Sequence, residues 1–386
     1  MARIEAQDAQ TAVMDTVAVP LFDLIGELEL VRAEAVAIFD RVWSAGAFIS
    51  GPDLAAFEER FAEFCGAEHC VGVSDGTAAI QLGLLALGVE PEVSVITVPN
   101  TFVATVEAIA ASGASPQLVD VDPAHRCMDP HQLKAAITAD TGAVVPVHLF
   151  GRLAPMGRIA AICAGSGVGL LEDAAQAHGA SLAGRRAGAW ADVAAFSFYP
   201  SKNLGAAGDA GAVLCRSAET AEVVRSLRHH GSIAGDPNRH VRRGGTHRLD
   251  NLQAALLVLR LARLEEGNRQ RRRAAQIYRE LLSDLPLTMP APDGVDEEQV
   301  YHLFVVEVDD RDEVLAALRE HGIGAGVHYP TPIHLQPAWR HLGYAPGDFP
   351  VAEHLAAHCL SLPCFAGITE QEQVYVAQEL SEALRR

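Results

Sequence analysis

The sequence predicts an α/β protein: a large domain built on a seven-stranded, mostly parallel sheet, followed by a smaller C-terminal α/β domain. Seven short apolar runs, at residues 70–74, 93–98, 116–121, 143–150, 168–171, 193–198 and 211–215, recur through the first half of the chain. Most are separated by helical patterns such as 77–87 and 154–164. The runs are continuously apolar rather than alternating, as expected of strands covered on both faces by helices. In such sheets ligands sit at the carboxyl ends of the strands.

Taken in order, residues 1–18 read as a loose N-terminal arm, 19–250 as the large domain and 251–386 as the small one. Helical spacing covers 27–39, and Ser50-Gly51-Pro52-Asp53 opens a further helix over 54–65. After the seven strand-like runs, 217–250 is rich in Arg and Gly and reads as a long excursion rather than a core element. An apolar helix pattern at 249–264 continues, more polar, to 282. A strand at 301–308, a helix at 313–320, a turn-rich stretch at 322–330 and a closing helix at 370–384 complete the small domain.

Composition narrows the function. A net charge of −19 argues against nucleic acid and anionic membrane surfaces as partners. The seven cysteines are odd in number and scattered, without Cys-x-x-Cys, as in a cytoplasmic protein with reduced thiols. Cys65 to Cys70, with His69 between, lack a second cluster at metal-ligand spacing, so no metal is expected. Residues 1–20 carry Glu5, Asp8 and Asp15 and no apolar core, which speaks against a signal peptide. No run approaches the ~20 apolar residues that span a bilayer.

The chemistry gathers at the predicted strand ends. Lys202 follows the 193–198 run, in Ser197-Phe198-Tyr199-Pro200-Ser201-Lys202, and Asp173 ends the strand before it. A lysine amine condenses with an aldehyde, and pyridoxal phosphate needs an acid to keep its ring nitrogen protonated. Alone, such a Lys is most often solvated and such an Asp most often a helix cap; the pair in these flanks carries the reading. Asp75-Gly76-Thr77 joins a strand to a helix, where free N–H groups, the helix dipole and the Thr77 hydroxyl suit a phosphate. Ser197 is a further donor candidate. Phe102 can stack on a pyridine ring, with small Ala175 on the other face, and Gln176 can reach the ring hydroxyl.

The runs Glu172-Asp173-Ala174-Ala175-Gln176-Ala177-His178-Gly179 and Ser197-Phe198-Tyr199-Pro200-Ser201-Lys202-Asn203-Leu204-Gly205 resemble the DegT/DnrJ/EryC1/StrS family of sugar aminotransferases. Phe48-Ile49-Ser50-Gly51-Pro52, Val147-His148-Leu149-Phe150-Gly151, Arg248-Leu249-Asp250-Asn251, His328-Tyr329-Pro330 and Leu360-Ser361-Leu362-Pro363 match it too, so the likeness covers the chain from about residue 20 onward. The resemblance implies the type I aminotransferase fold and a homodimer with active sites at the subunit interface. It implies Lys202 as the Schiff-base lysine, Asp173 at the ring nitrogen, Gln176 at the ring hydroxyl, Gly76, Thr77 and Ser197 at the phosphate, and Phe102 on the ring. Where many members carry an Asn that reaches across the dimer, this chain has Thr246, followed by His247. The usual Gly-Gly after the lysine loop is Ala210-Gly211.

The expected reaction moves an amino group, from glutamate, to a keto group of a nucleotide-linked deoxysugar. The segments at His328-Tyr329 and Ser361 look most similar to enzymes of dTDP-3-keto sugars, which implies His328 and Tyr329 as substrate contacts. A 4-keto sugar is a close rival and a cyclitol ketone a third. Sugar dehydratases of the same fold carry His at the lysine position, so Lys202 argues against them. A non-catalytic regulator fits poorly with an intact Lys202, Asp173 and Gln176. Finally, residues 225–248 hold six arginines and four histidines against the single acid Asp236. Read functionally rather than as a solvated loop, Arg242 and Arg243 would supply counter-charge to the substrate diphosphate from the partner subunit.

Overall fold

The computed structural model describes residues 18–385. Its main sheet contains β1 (His69–Val73), β2 (Ser94–Thr97), β3 (Ser115–Leu118), β4 (Thr141–Val144), β5 (Gly169–Asp173), β6 (Val193–Ser197) and β7 (Gly211–Cys215). The spatial order is β1-β7-β6-β5-β4-β2-β3. Only β7 runs against its neighbours; β6, β5, β4, β2 and β3 pair in parallel. The sheet is therefore seven-stranded and mostly parallel. Its strands are buried on both sides: one core contains Phe57, Phe61, Phe196 and Phe198, the other Val71, Ile80, Leu84 and Val213. Proline at position 116 is accommodated because β3 is an edge strand, where a missing N–H leaves no ladder bond broken.

The expected strand at 143–150 stops early. β4 ends at Val144, and Pro146 cannot donate to a neighbour. Val147 keeps a single bridge to Asp173, and Leu149–Gly151 folds into one tight turn with Phe150 at φ 62°. The helix expected at 27–39 is two helices, Leu24–Glu29 and Arg32–Ala45. The excursion at 217–250 needs a larger correction. Its first part, Ala218–Arg228, is a helix capped by Ser217, and Ala221, Val224 and Leu227 enter the core. Basic composition masked that three-residue apolar spacing. The remainder holds a short hairpin, Ser232–Ile233 with Asp236–His240.

Three helices carry side chains to the strand ends: α1 (Gly76–Ala86), α2 (Val103–Ala111) and α3 (Asn251–Leu281). α3 is one continuous helix. Its first half packs Ala254, Leu257 and Leu264 into the core behind the sheet, and its second half packs Ala274, Ala275 and Tyr278 into another core. That second core surrounds the antiparallel pair β8 (Phe304–Glu307) and β9 (Cys359–Leu362), with helices Arg311–Glu320 and Glu370–Ala383. The last helix starts at a capping box between Thr369 and Glu372. Most of the expected N-terminal arm lies outside the described residues; Ala18 donates to the Gly322 carbonyl and Val19 bridges to Ile323. Among the described residues no helix is long and apolar enough to cross a membrane.

Candidate active site

The parallel strands β5 and β6 lie side by side, with Asp173 opposite Ala195, so both chains emerge at the same edge of the sheet. Asp173 is 4% exposed. Burial raises its carboxyl pKa, opposed by a hydrogen bond from Thr105, by the Ala175 N–H and by the charge of Lys202. Thr105 Oγ1 donates to Asp173 Oδ2 at 2.7 Å, and the Ala175 N–H donates to Oδ1 at 3.2 Å. Lys202 stands on the loop after β6, its N–H bonded to the Tyr199 carbonyl. Desolvation outweighs the pull of Asp173 and brings the Lys202 pKa down to about 8. An amine in that range exchanges protons readily near neutrality.

The surroundings of Lys202 are kept free of competing cations. His178 and His302 are buried and His328 partly so, and burial together with the Lys202 charge lowers all three. His178 falls to about 3 and His328 to about 4. His178 Nε2 donates to the Ser197 carbonyl, and among the described residues its Nδ1 has no hydrogen-bond partner. Asn203, next to Lys202, joins Asn268 at 2.9 Å and His302 at 3.2 Å. His328 Nδ1 meets Ser361 Oγ at 2.8 Å.

β1 leads into α1 through Asp75, whose side chain takes the Ala78 N–H at 2.8 Å. The first N–H groups of α1, those of Gly76 and Thr77, precede the intrahelical ladder and suit an anion. Gly76 is required by contact: a Cβ there would lie 2.7 Å from Ser197 Cβ. The missing side chain brings the helix start against Ser197, which forms one cradle from Gly76, Thr77 and Ser197. Phe102 directly precedes α2 and is 53% exposed, so its ring is not part of the core. Its ring lies 5.6 Å from that of Tyr329. Gln176 takes the Phe150 N–H at 2.7 Å and donates to the Tyr329 hydroxyl at 3.1 Å.

These groups meet at one edge of the sheet, and they fit pyridoxal 5'-phosphate: an anion cradle, a buried carboxylate, a low-pKa amine and an exposed aromatic face. Arg242 and Arg243 are exposed beyond the hairpin, and among the described residues no hydrogen bond ties their side chains to this cluster. The stretch that carries them returns along β1, where the Ser74 N–H donates to the His247 carbonyl and Arg248 bridges to Val73. Thr246 Oγ1 lies 3.3 Å from His230 Nε2. Among the described residues no group of three or more His, Cys, Asp or Glu side chains is placed to hold a metal ion. All seven cysteines are buried and unpaired.

Sequence reasoning missed Thr105, His302 and Asn268. Thr105 lies four residues after Thr101 at the start of α2, a spacing that does not point to its partner Asp173. One signal was compositional. Of 30 Lys and Arg residues, only Lys134 and Lys202 are lysines, and Lys134 is exposed.

Fold and site together define a sheet enzyme with an amine poised against an acid. A model of the DegT/DnrJ/EryC1/StrS aminotransferase family matches residues 30–381, and the chain belongs to that family. It is 41% identical over 377 residues to dTDP-3-amino-3,4,6-trideoxy-alpha-D-glucose transaminase of Streptomyces venezuelae, covering 96% of this chain and 98% of that one. It is 40% identical over 371 residues to the pleiotropic regulatory protein of Geobacillus stearothermophilus, covering 95% and 99% respectively. Among solved structures, it matches DesV of S. venezuelae in complex with a ketimine intermediate at a TM-score of 0.93 and 40% identity, covering 96% of this chain and 100% of that one.

Proposed function

We propose that the chain moves an amino group from L-glutamate to the 3-keto group of a dTDP-linked 6-deoxyhexose, with pyridoxal 5'-phosphate as its cofactor. The observation that carries this is the juxtaposition of Lys202 and buried Asp173 at the ends of β6 and β5. When bound, the cofactor supplies an electron sink that loosens the bonds around an attached amine carbon. Lys202 would hold the cofactor at its aldehyde carbon, condensing with loss of water, and once freed Nζ would accept and return a proton, a task its pKa of about 8 suits. Asp173 holds a negative charge against the ring nitrogen. Gly76, Thr77 and Ser197 grip the phosphate, Phe102 covers one ring face, and Gln176, braced by the Phe150 N–H, addresses the ring hydroxyl. His328 and Tyr329 face the sugar, and neutral His328 offers a hydrogen bond without adding charge beside Lys202.

The likeness to a dTDP-3-amino-sugar transaminase supports the 3-keto assignment. A homodimer completes the site in this reading. Its support is an exposed aromatic surface in which the Trp43 ring lies 5.7 Å from that of Phe39, on the same helix Arg32–Ala45, and 5.8 Å from that of Phe48 just beyond it. Arg242 and Arg243 would then reach the partner's substrate diphosphate. The test is incubation with L-glutamate and a panel of 3-keto and 4-keto sugars linked to dTDP or UDP, read by mass spectrometry. Amination of a dTDP-3-keto-6-deoxyhexose ahead of its 4-keto isomer supports the proposal; amination of the 4-keto sugar alone overturns the keto position, and amination of neither overturns the substrate class.

A further inference from the structure

The acid beside the ring nitrogen is not held by a single contact. Thr105 Oγ1 donates to Asp173 Oδ2 at 2.7 Å, and Thr101 Oγ1 lies 2.8 Å from Thr105 Oγ1. All three residues are buried, at 1% for Thr105, 3% for Thr101 and 4% for Asp173. A carboxylate has no proton to give, so Thr105 must spend its only hydroxyl proton on Asp173. Its oxygen is then left as an acceptor, and Thr101 must be the donor. The ionised state of Asp173 therefore fixes the direction of the whole chain. Thr101 and Phe102 directly precede α2 and Thr105 lies in its first turn, so one helix start carries both the aromatic ring offered to the cofactor face and the hydroxyls that steady the acid.

We propose that Thr101 and Thr105 form a hydroxyl relay that holds Asp173 as an anion, and so keeps the shared proton on the cofactor's ring nitrogen rather than on the acid. Both threonines are positioning residues, because they act through Asp173. Burial alone favours a neutral carboxyl, and a hydrogen bond to the charged form opposes it. Removing the Thr105 hydroxyl leaves Oδ2 without that donor at a buried contact. The relay rests on the cofactor reading above, and the test separates the two.

The holoenzyme is loaded with pyridoxal phosphate labelled with ¹⁵N in the ring, and the ring-nitrogen signal is recorded for wild type, Thr105→Val, Thr105→Ser, Thr101→Val and Asp173→Asn. Asp173→Asn sets the signal expected without the anion. The relay predicts that Thr105→Val moves the signal towards that of Asp173→Asn, that Thr105→Ser restores it, and that Thr101→Val lies between. The half-reaction with L-glutamate should slow by about ten- to a hundredfold in Thr105→Val, the range for losing a hydrogen bond to a charged group. A folded Thr105→Val protein with a wild-type ring signal overturns the relay, as does a Thr105→Ser protein that behaves like Thr105→Val. If Thr105→Val fails to fold, Thr101→Val decides: a partial shift supports the relay, and an unchanged signal overturns it. Loss of cofactor binding by wild type, or no effect of Asp173→Asn, defeats the cofactor reading itself.

Discussion

The Lys202 amine should capture pyridoxal phosphate with a pH midpoint about 2.5 units below that of an ordinary lysine. Capture needs the unprotonated amine, so its rate follows the free-amine fraction. With a pKa of about 8, about a quarter of Lys202 is free at pH 7.5; at the ordinary 10.5, about one in a thousand would be. The site thus gains roughly 200-fold in reactive amine from desolvation, net of the opposing charge of Asp173. The sign for Asp173 is opposite, because its negative charge raises the lysine pKa. Asp173→Asn should therefore move the midpoint to still lower pH. The assay is stopped-flow mixing of apoenzyme with pyridoxal phosphate between pH 6 and 10.5, following the absorbance of bound cofactor. The expected profile rises about tenfold per pH unit below 8 and levels above it. A rate still climbing at pH 9.5 would refute the desolvation argument, and an upward shift in Asp173→Asn would refute the coupling of the two residues.

Asp173→Asn should also lower turnover at least ~100-fold, the scale of one well-placed electrostatic group, while circular dichroism shows an intact fold; near-normal turnover would mean another group supports the ring nitrogen. Gly76→Ala forces a Cβ to 2.7 Å from Ser197 Cβ and should weaken cofactor affinity roughly tenfold, measured by fluorescence titration, and lower Tm as well. Arg242→Ala with Arg243→Ala should raise KM for the nucleotide sugar while leaving that for glutamate nearly unchanged, costing about 2–4 kcal/mol in substrate binding. Mixed with Lys202→Ala subunits, that double variant should recover part of its activity, because heterodimers place both lesions in one site and leave the other intact; no recovery after verified subunit exchange would put the arginines outside the partner's site.

Much of the sheet was legible because its strands are buried on both faces, and such strands announce themselves as unbroken apolar runs. β7 was read residue for residue at 211–215. The run at 143–150 misled because Pro146 and the turn at Phe150 end the strand without ending the apolar sequence. The helix Ala218–Arg228 was hidden by its arginines, although Ala221, Val224 and Leu227 kept the spacing of a buried face. At the site, Lys202 and Asp173 stood out through chemically unusual neighbours on consecutive strands. Thr105, His302 and Asn268 did not, since each matters only through a partner distant in sequence: Asp173, Asn203 and His178. Pairing across 68 residues, as between Thr105 and Asp173, is set by topology and leaves no local mark.

The most direct measurement is borohydride reduction of the holoenzyme followed by peptide mass mapping, made before and after incubation with L-glutamate. Only Lys134 and Lys202 offer side-chain amines, so the result has few possible readings. A lysine-bound cofactor that accepts an amino group must appear as added mass on the Lys202 peptide before glutamate and must be lost from it afterwards. Added mass on Lys134, or label on Lys202 that survives saturating glutamate, would contradict the assignment of Lys202 as the amine through which this chain transfers amino groups.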